Sequence, residues 1–401
     1  MPEVFTQNTW TAGELFEHLQ RRGELRVLDV RNRDEFEKLR IEGPGVHAVN
    51  FPYFEMLESG GEDDMLDAVV ACVRRELADQ LPKSAPVLAV CAKGETSEFV
   101  SQGLRRLGYA SMSLAGGMKA WGEHYEARLV GDAPGLQIYQ ISRPARGCLS
   151  YFLVSEGHAI VIDPLRHVGP YLSLLHEAKC TIDAIIDTHG HADHISGGRA
   201  ISDAPYFLHP YDAIHPIDMV PATFSYEPMR AGQIFRLGKH QLEVIHVPGH
   251  TLGMVALKLG DRYLFTGDTI FIHSVSRPDL GGKADAWAPL HAHSLRRLVG
   301  LPEEITVLPG HFSSMDEMDD GGRFQASLSK LKRDNESLRV LQQESDAGFV
   351  QYLMGSLPKF IPEYVEIKRV NCGLASPSEE EAATLETGKN VCALSQAYTA
   401  A

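Results

Sequence analysis

The chain has 401 residues, room for two or three domains of ordinary size. Hydrophobic residues make up 44% and charged residues 23%, the mix of a globular protein. A formal charge of −15 argues against a general binder of nucleic acid or of membrane surfaces, and no apolar stretch approaches the ~20 residues that span a bilayer.

Met1 to Trp10 carries neither a basic region followed by an apolar one nor an Arg- and Ser-rich composition, so the chain reads as cytoplasmic. Six cysteines, Cys72, Cys91, Cys148, Cys180, Cys372 and Cys392, are scattered without a CxxC pair. In such a compartment they read as separate thiols and not as a disulfide framework.

The first third alternates helix and strand patterns. Thr11 caps a predicted helix through Leu15, Leu19 and Gln20. A strand follows at Leu25–Val30, a helix near Asp34–Leu39 and a longer helix over Met65–Leu81 that buries Cys72. The apolar run Pro86–Val90 reads as a buried strand ending at Cys91, followed by a helix over Ser97–Leu107 and a strand at Ser111–Leu114. Strand–helix alternation predicts a parallel α/β sheet.

The loop Cys91-Ala92-Lys93-Gly94-Glu95-Thr96-Ser97 lies between a strand end and a helix start. Backbone N–H groups in such a loop favour an anion, and hence a thiolate or the outer sulfur of a persulfide. Leu28-Asp29-Val30-Arg31, the Cys91-x-x-Gly94-x-x-Ser97 loop and Leu114-Ala115-Gly116-Gly117-Met118-x-x-Trp121 occur in this order. Residues 8 to 127 thereby resemble the rhodanese sulfurtransferase family. The resemblance implies Cys91 as the sulfur-carrying nucleophile, with Asp29 and Arg31 supporting the domain. Many rhodanese loops carry Arg where this chain has Ala92 and Thr96. Here Lys93 stands alone against Glu95.

Arg128 to Gly135 reads as a linker. Beyond it, the apolar Ile182–Asp187 leads into His189-Gly190-His191-Ala192-Asp193-His194. Three imidazoles and a carboxylate within six residues form a dense ligand set. His250, Asp268 and His311 each follow a strand-like run (Leu242–Val247, Tyr263–Gly267 and Val307–Gly310), so all could converge at one end of a sheet. Such ligands suit zinc, iron or manganese. On this HxHxDH motif and the later His, Asp and His, residues 136 to 375 resemble the metallo-β-lactamase superfamily. The resemblance implies an αββα sandwich with metal at one edge.

Two ligand arrangements stay open. In a dinuclear zinc hydrolase like glyoxalase II, His189, His191 and His250 hold one metal, Asp193, His194 and His311 the second, and Asp268 bridges. In a mononuclear site, His189, His250 and Asp268 form a two-His-one-carboxylate face with positions left for substrate and O₂. The superfamily's persulfide dioxygenases use the second arrangement. Ser276-Arg277-Pro278-Asp279 resembles their Arg-x-Asp segment, implying that Arg277 supports the substrate side of the pocket. Leu357-Pro358-Lys359 with Asn371-Cys372-Gly373 resembles their C-terminal stretch. A sulfane-sulfur module in the same chain suits a persulfide consumer better than a thioesterase. Phe312-Ser313-Ser314 departs from the acidic residue and tyrosine that other members carry there, leaving the thiol half of the substrate open.

These readings give a rhodanese-like α/β domain at residues 1–130, a metallo-β-lactamase-fold αββα sandwich at 131–375 and an acidic, polar tail at 376–401. The expected activity is iron-dependent oxidation of a low-molecular-weight thiol persulfide to thiol and sulfite. It uses one Fe(II) per chain and O₂, and is coupled to sulfur transfer between persulfide, sulfite and thiosulfate. Neither nucleic acid nor membrane is an expected partner, and a homo-oligomer is allowed. Cys372 reads more simply as a structural cysteine than as a sulfur relay at the pocket mouth. Cys148 and Cys180 read as core, and His291 and His293 as helix-surface residues.

Overall fold

The computed structural model describes residues 8–396. Residues 1–7 and 397–401, the latter part of the tail, lie outside the described residues. The chain divides into two compact units. The first comprises residues 1–126 with 143–146 and 387–389, and the second 127–142, 147–386 and 390–401.

The first unit holds a five-stranded, all-parallel sheet in the order Thr9–Trp10, Ser111–Leu114, Val87–Val90, Leu25–Asp29, Val46–Asn50. Strands buried on both faces read as unbroken apolar runs, and every residue of Val87–Val90 and Ser111–Leu114 is buried. Helices Met65–Cys72 and Glu95–Arg106 supply Val69, Cys72, Val100 and Leu104 to the same core as Leu28 and Ala89. Full burial of each large aliphatic side chain stabilises by about 1.5–3 kcal/mol. Thr11 closes a capping box with Glu14 at the head of Ala12–Gln20, as its position predicts. The long helix expected over Met65–Leu81 changes to a π-helical turn at Val73–Leu77.

The second unit is built on two mixed sheets. One has seven strands in the order Glu227–Pro228, Tyr206–Leu208, Thr181–Ile186, His158–Ile162, Cys148–Ser155, Leu136–Arg143, Glu126–Ala133. The other has six: Ile234–Leu237, His240–His246, Val255–Leu259, Tyr263–Gly267, Thr306–Pro309, Ala326–Ser327. Their inner faces meet through aromatic pairs. Tyr151 packs edge-on against Phe265 at 5.0 Å between ring centres, and Phe207 against Phe235 at 4.7 Å. Helix Gly169–Ala178 lies against the first sheet, where Tyr171 donates to Ser150. Helix Ala284–Val299 flanks the second, where Ser294 donates to the Pro248 carbonyl. This is the expected layered fold.

Three expectations need correction. Residues 128–135 are not a linker: Glu126–Ala133 is an edge strand, and Pro134-Gly135 is the turn that leads to the strand at Leu136. The tail contributes more to the core than its acidic, polar composition suggests, through a helix and the Val391–Leu394 run that the sequence allows to dock. Ser378 caps a helix at Glu379–Leu385, and Cys392, Ala393 and Leu394 are fully buried beside residues 275–277. His291 is buried in the helix it was expected to decorate, while His293 is exposed. No helix among the described residues is long and apolar enough to cross a membrane.

Candidate metal centre and cysteine loop

Each candidate ligand follows the C-terminal end of a strand. His189 follows Thr181–Ile186, His250 follows His240–His246, Asp268 follows Tyr263–Gly267 and His311 follows Thr306–Pro309. Gly267 turns the chain into Asp268 at φ +44°, and a β-carbon there would collide with Met254 and Thr188.

His189, His250 and Asp268 bring their ligand atoms within 4.8 Å of one another, all fully buried. Asp268 Oδ2 lies 3.5 Å from His250 Nε2 and 3.9 Å from His189 Nε2. None of these three atoms has a hydrogen-bond partner. Buried polar atoms without partners are costly, so three of them converging on one point fit a cation. His250 Nδ1 lies 2.8 Å from the Arg277 carbonyl, which can only accept. The ring proton therefore sits on Nδ1 and leaves Nε2 free to ligate. Burial holds His189 well below the usual imidazole range, helped by His191 and His250, and burial likewise lowers His250. Both are thus neutral, the form a metal needs.

The other candidates are differently engaged. His311 lies 2.6 Å from Asp268 Oδ1 through Nδ1 and 2.7 Å from Asp193 Oδ2 through Nε2. Asp193 also faces His194 Nδ1 at 3.2 Å and accepts from Cys148 Sγ at 3.2 Å. Cys148, read as plain core, therefore touches the site. Cys392 of the C-terminal segment lies with Asp268 and His311 in a further group of ligand-type atoms. His191 turns toward Asp163 Oδ1, 3.2 Å away, and Asp187 Oδ1, 3.7 Å away. Asp163 also accepts from Thr188 N and Oγ1 at 2.6 and 2.8 Å, bracing the residue before His189.

The sequence places Arg277 at the substrate. Its guanidinium has no solvent exposure, is paired with Asp279, and donates to the carbonyls of Pro358, Lys359 and Val391. Its backbone carbonyl is the partner of His250. Cys372 is buried in the wall of a cavity that also includes His189. Its neighbour Asn371 donates to the carbonyls of His191 and His194, and Lys368 to that of Gly190. The Asn371-Cys372 stretch thus braces the ligand loop from helix Glu363–Asn371.

Sequence reasoning missed Asp163, described above, and Asp212. Asp212, in the loop after Tyr206–Leu208, ties both histidine loops together. Its Oδ2 accepts from Gly190 N at 2.8 Å and Thr251 Oγ1 at 2.5 Å, and its Oδ1 from Gly253 N at 2.9 Å. A β-carbon on Gly253 would stand 2.6 Å from Asp212 Cγ, so the close approach requires glycine. Asp212→Ala is expected to weaken metal retention about 10- to 100-fold, the usual range for a residue that orients ligands. Competition with a chelator, followed by metal analysis, measures it. Thr251→Val should show a smaller loss, and undiminished retention in Asp212→Ala would remove Asp212 from the site.

In the first unit, Cys91 is buried and its Sγ accepts from Gly94 N at 3.0 Å. Ser97 Oγ donates to the Gly94 carbonyl at 3.0 Å, closing the loop at the start of Glu95–Arg106. The Cys91 and Ala92 carbonyls accept from Met118 N and Lys119 N. Ala92, Lys93 and Glu95 are exposed and Thr96 partly so. Asp29 and Arg31 form a buried bidentate pair, and Arg31 also donates to the Leu39 carbonyl. That placement is architectural.

Comparison with known proteins gives the family of each unit. A family model for the rhodanese-like domain matches residues 11–124, and one for the metallo-beta-lactamase superfamily matches residues 143–311. An uncharacterized protein of Mycobacterium leprae is 31% identical over 192 residues, covering 42% of this chain and 87% of that one. A hydroxyacylglutathione hydrolase of Photobacterium profundum is 34% identical over 188 residues, covering 44% and 70%. Among solved structures, a metallo-beta-lactamase from Staphylococcus aureus is 25% identical with a TM-score of 0.53, covering 61% of this chain and 75% of that one. With its ligand motif, its two facing sheets and these relatives, the chain belongs to the metallo-beta-lactamase superfamily and carries a rhodanese-like domain ahead of the lactamase fold.

Proposed function

We propose that the chain is an iron-dependent dioxygenase acting on the persulfide of a low-molecular-weight thiol, with Cys91 moving sulfane sulfur in the same pathway. The balanced reaction is R–S–SH + O₂ + H₂O → R–SH + SO₃²⁻ + 2 H⁺. The observation that carries the reading is the cluster of His189 Nε2, His250 Nε2 and Asp268 Oδ2. These three are buried and unpartnered, while Asp193 and His311 are engaged with each other. A two-His-one-carboxylate face is the arrangement of non-haem Fe(II) oxygenases. The rhodanese-like domain supplies the second strand of support, since it handles the sulfur that such an enzyme consumes.

His189, His250 and Asp268 would hold one Fe(II). Bound there, the metal would supply the electron transfer that joins O₂ to sulfur. The chain's residues do the rest. Arg277 fixes the His250 ring through its carbonyl and anchors the segments around Pro358 and Val391 through its guanidinium. We therefore assign it a positioning role in place of the substrate contact expected from sequence. Asp163 braces the His189 loop, and Asp212 ties that loop to the His250 loop. His191, Asp193, His194 and His311 form the surrounding shell.

A dinuclear zinc hydrolase is the second reading, favoured by the hydroxyacylglutathione hydrolase relative and by the presence of ligand-type residues for both metals. Glutathione persulfide serves as the probe of the low-molecular-weight persulfide class. The deciding experiment is metal analysis of the chain purified without oxygen, combined with O₂ uptake on glutathione persulfide. One iron per chain with O₂ uptake is expected. Two zinc ions per chain with thioester hydrolysis would replace the dioxygenase by the hydrolase.

A further inference from the structure

The second unit contains a cavity of about 180 Å³ whose walls include His189 and His191. Its remaining walls are mostly apolar and include Tyr211, Ile214, Met219, Leu252 and Trp287. Of the charged ones, Asp187, Asp212 and Lys368 are engaged by Tyr206, Gly190 N and Gly190 O respectively, while Lys283 is exposed. The loop at its edge is unusual. Of the twelve large apolar side chains exposed among the described residues, five lie within ten residues: Tyr211, Ile214, Ile217, Met219 and Val220, from 37% to 65% exposed. A cluster of that kind marks a binding surface.

The loop is not loosely attached. Residues Ile214 and Pro221 form a bridge, His215 N donates to Val220 O, and Met219 N to His215 O. The His215 ring lies 3.2 Å from the Val365 carbonyl, and Asp212 ties the loop's root to both histidine loops. Met219 sits at φ +55°, a strained conformation for a residue other than glycine. A braced, strained loop therefore holds apolar side chains outward at the mouth of a cavity that reaches a ligand histidine.

We infer that this cavity binds the thiol half of the substrate, and that the thiol is one with an apolar carbon arm between its sulfur and a distal anionic group. The inference rests on the persulfide reading only for the name of the reacting group. The sulfur end faces His189, the apolar arm lies along Tyr211, Ile214, Met219 and Leu252, and Lys283 complements the anionic end. Glutathione, polar from its sulfur outward, matches these walls less well than an alkyl or pantetheine-like arm does.

The test uses the full chain, without oxygen, and measures binding of the unreactive thiols 3-mercaptopropionate and 8-mercaptooctanoate by calorimetry. The two differ by five methylenes. Each fully buried methylene gains about four-fold in affinity, so half-burial of the five predicts about 30-fold tighter binding of the longer thiol. Ile214→Asp with Met219→Asp changes exposed side chains and should leave the melting temperature in place while reducing that preference to about three-fold or less. Lys283→Ala should weaken both thiols. Equal binding of the two thiols, or a preference unchanged in the double variant, would overturn the inference. So would sedimentation of the chain with vesicles of phosphatidylcholine and phosphatidylglycerol, because the apolar lip would then be a membrane contact. No turnover enters these measurements, so a failure of O₂ uptake would count against the dioxygenase and leave the binding result standing.

Discussion

Asp268→Ala is expected to leave the purified chain without iron and without O₂ uptake on glutathione persulfide. Asp268 supplies the only carboxylate of its cluster, and both of its oxygens are committed. Oδ2 faces His189 and His250, and Oδ1 pairs with His311. Burial alone would raise its pKa, but the neighbouring His311 charge and hydrogen bond hold it below the usual carboxylate range. It is therefore ionised where a divalent cation needs charge. Its removal leaves two neutral imidazoles, a much weaker site for a hard-to-borderline ion. Asp193→Ala is expected to cost less, about 10- to 100-fold in metal retention. Asp193 contacts His194, His311 and Cys148 and lies outside the three-atom cluster. Metal content by mass spectrometry and O₂ consumption on the same preparations separate the two variants. Full metal content in Asp268→Ala would show that the ligand set lies elsewhere among these residues. Equal losses in both variants would favour a dinuclear site, in which Asp193 is itself a ligand.

The ligands were legible because each follows an apolar run, and apolar runs are what buried strands look like. The same reason made Leu25–Asp29, Val87–Val90 and Ser111–Leu114 readable, while Val46–Asn50, none of it fully buried, was missed. Asp163 and Asp212 could not be found this way. Each is a single carboxylate whose partners lie 22 to 41 residues away, and no local pattern records such a contact. The positioning role proposed for Arg277 differs from the substrate contact expected from sequence for a related reason. A motif match identifies a side chain near a pocket, but the direction of its guanidinium depends on Pro358, Lys359 and Val391. Val391 opens the short apolar run Val391–Leu394, which the sequence allows to dock without indicating where. Pro134 and Gly135 signalled a break correctly, but the break was a turn between two strands and not a boundary between domains.

Cys91→Ser is expected to lose sulfur loading while keeping O₂ uptake. Incubation with a sulfur donor should add about 32 Da to the wild-type chain, one sulfur atom on a reactive thiolate, and nothing to the serine variant. The geometry that favours this is local: Gly94 N donates to Sγ, and the loop opens the helix Glu95–Arg106, whose N-terminal field favours an anion. Charge gives the expected direction of transfer. Lys93 and Glu95 are both exposed and oppose each other, so the loop has little net attraction for the thiosulfate dianion as a donor. The favoured direction takes sulfane sulfur from a second persulfide onto Cys91 and passes it to sulfite. The two steps sum to R–S–SH + SO₃²⁻ → R–SH + S₂O₃²⁻. Joined in one chain, the two proposed activities would keep released sulfite near its acceptor at high effective concentration. With glutathione persulfide and O₂ supplied, the wild type should then yield thiosulfate, and Cys91→Ser should yield sulfite at an O₂ rate within about two-fold of wild type. That tolerance reflects the small effects expected of a change in a different compact unit with no shared partners. An unchanged ratio of sulfite to thiosulfate would sink this direction. O₂ uptake from thiosulfate plus glutathione, abolished in Cys91→Ser, would establish the reverse one, in which the cysteine loop makes the persulfide that the metal centre consumes.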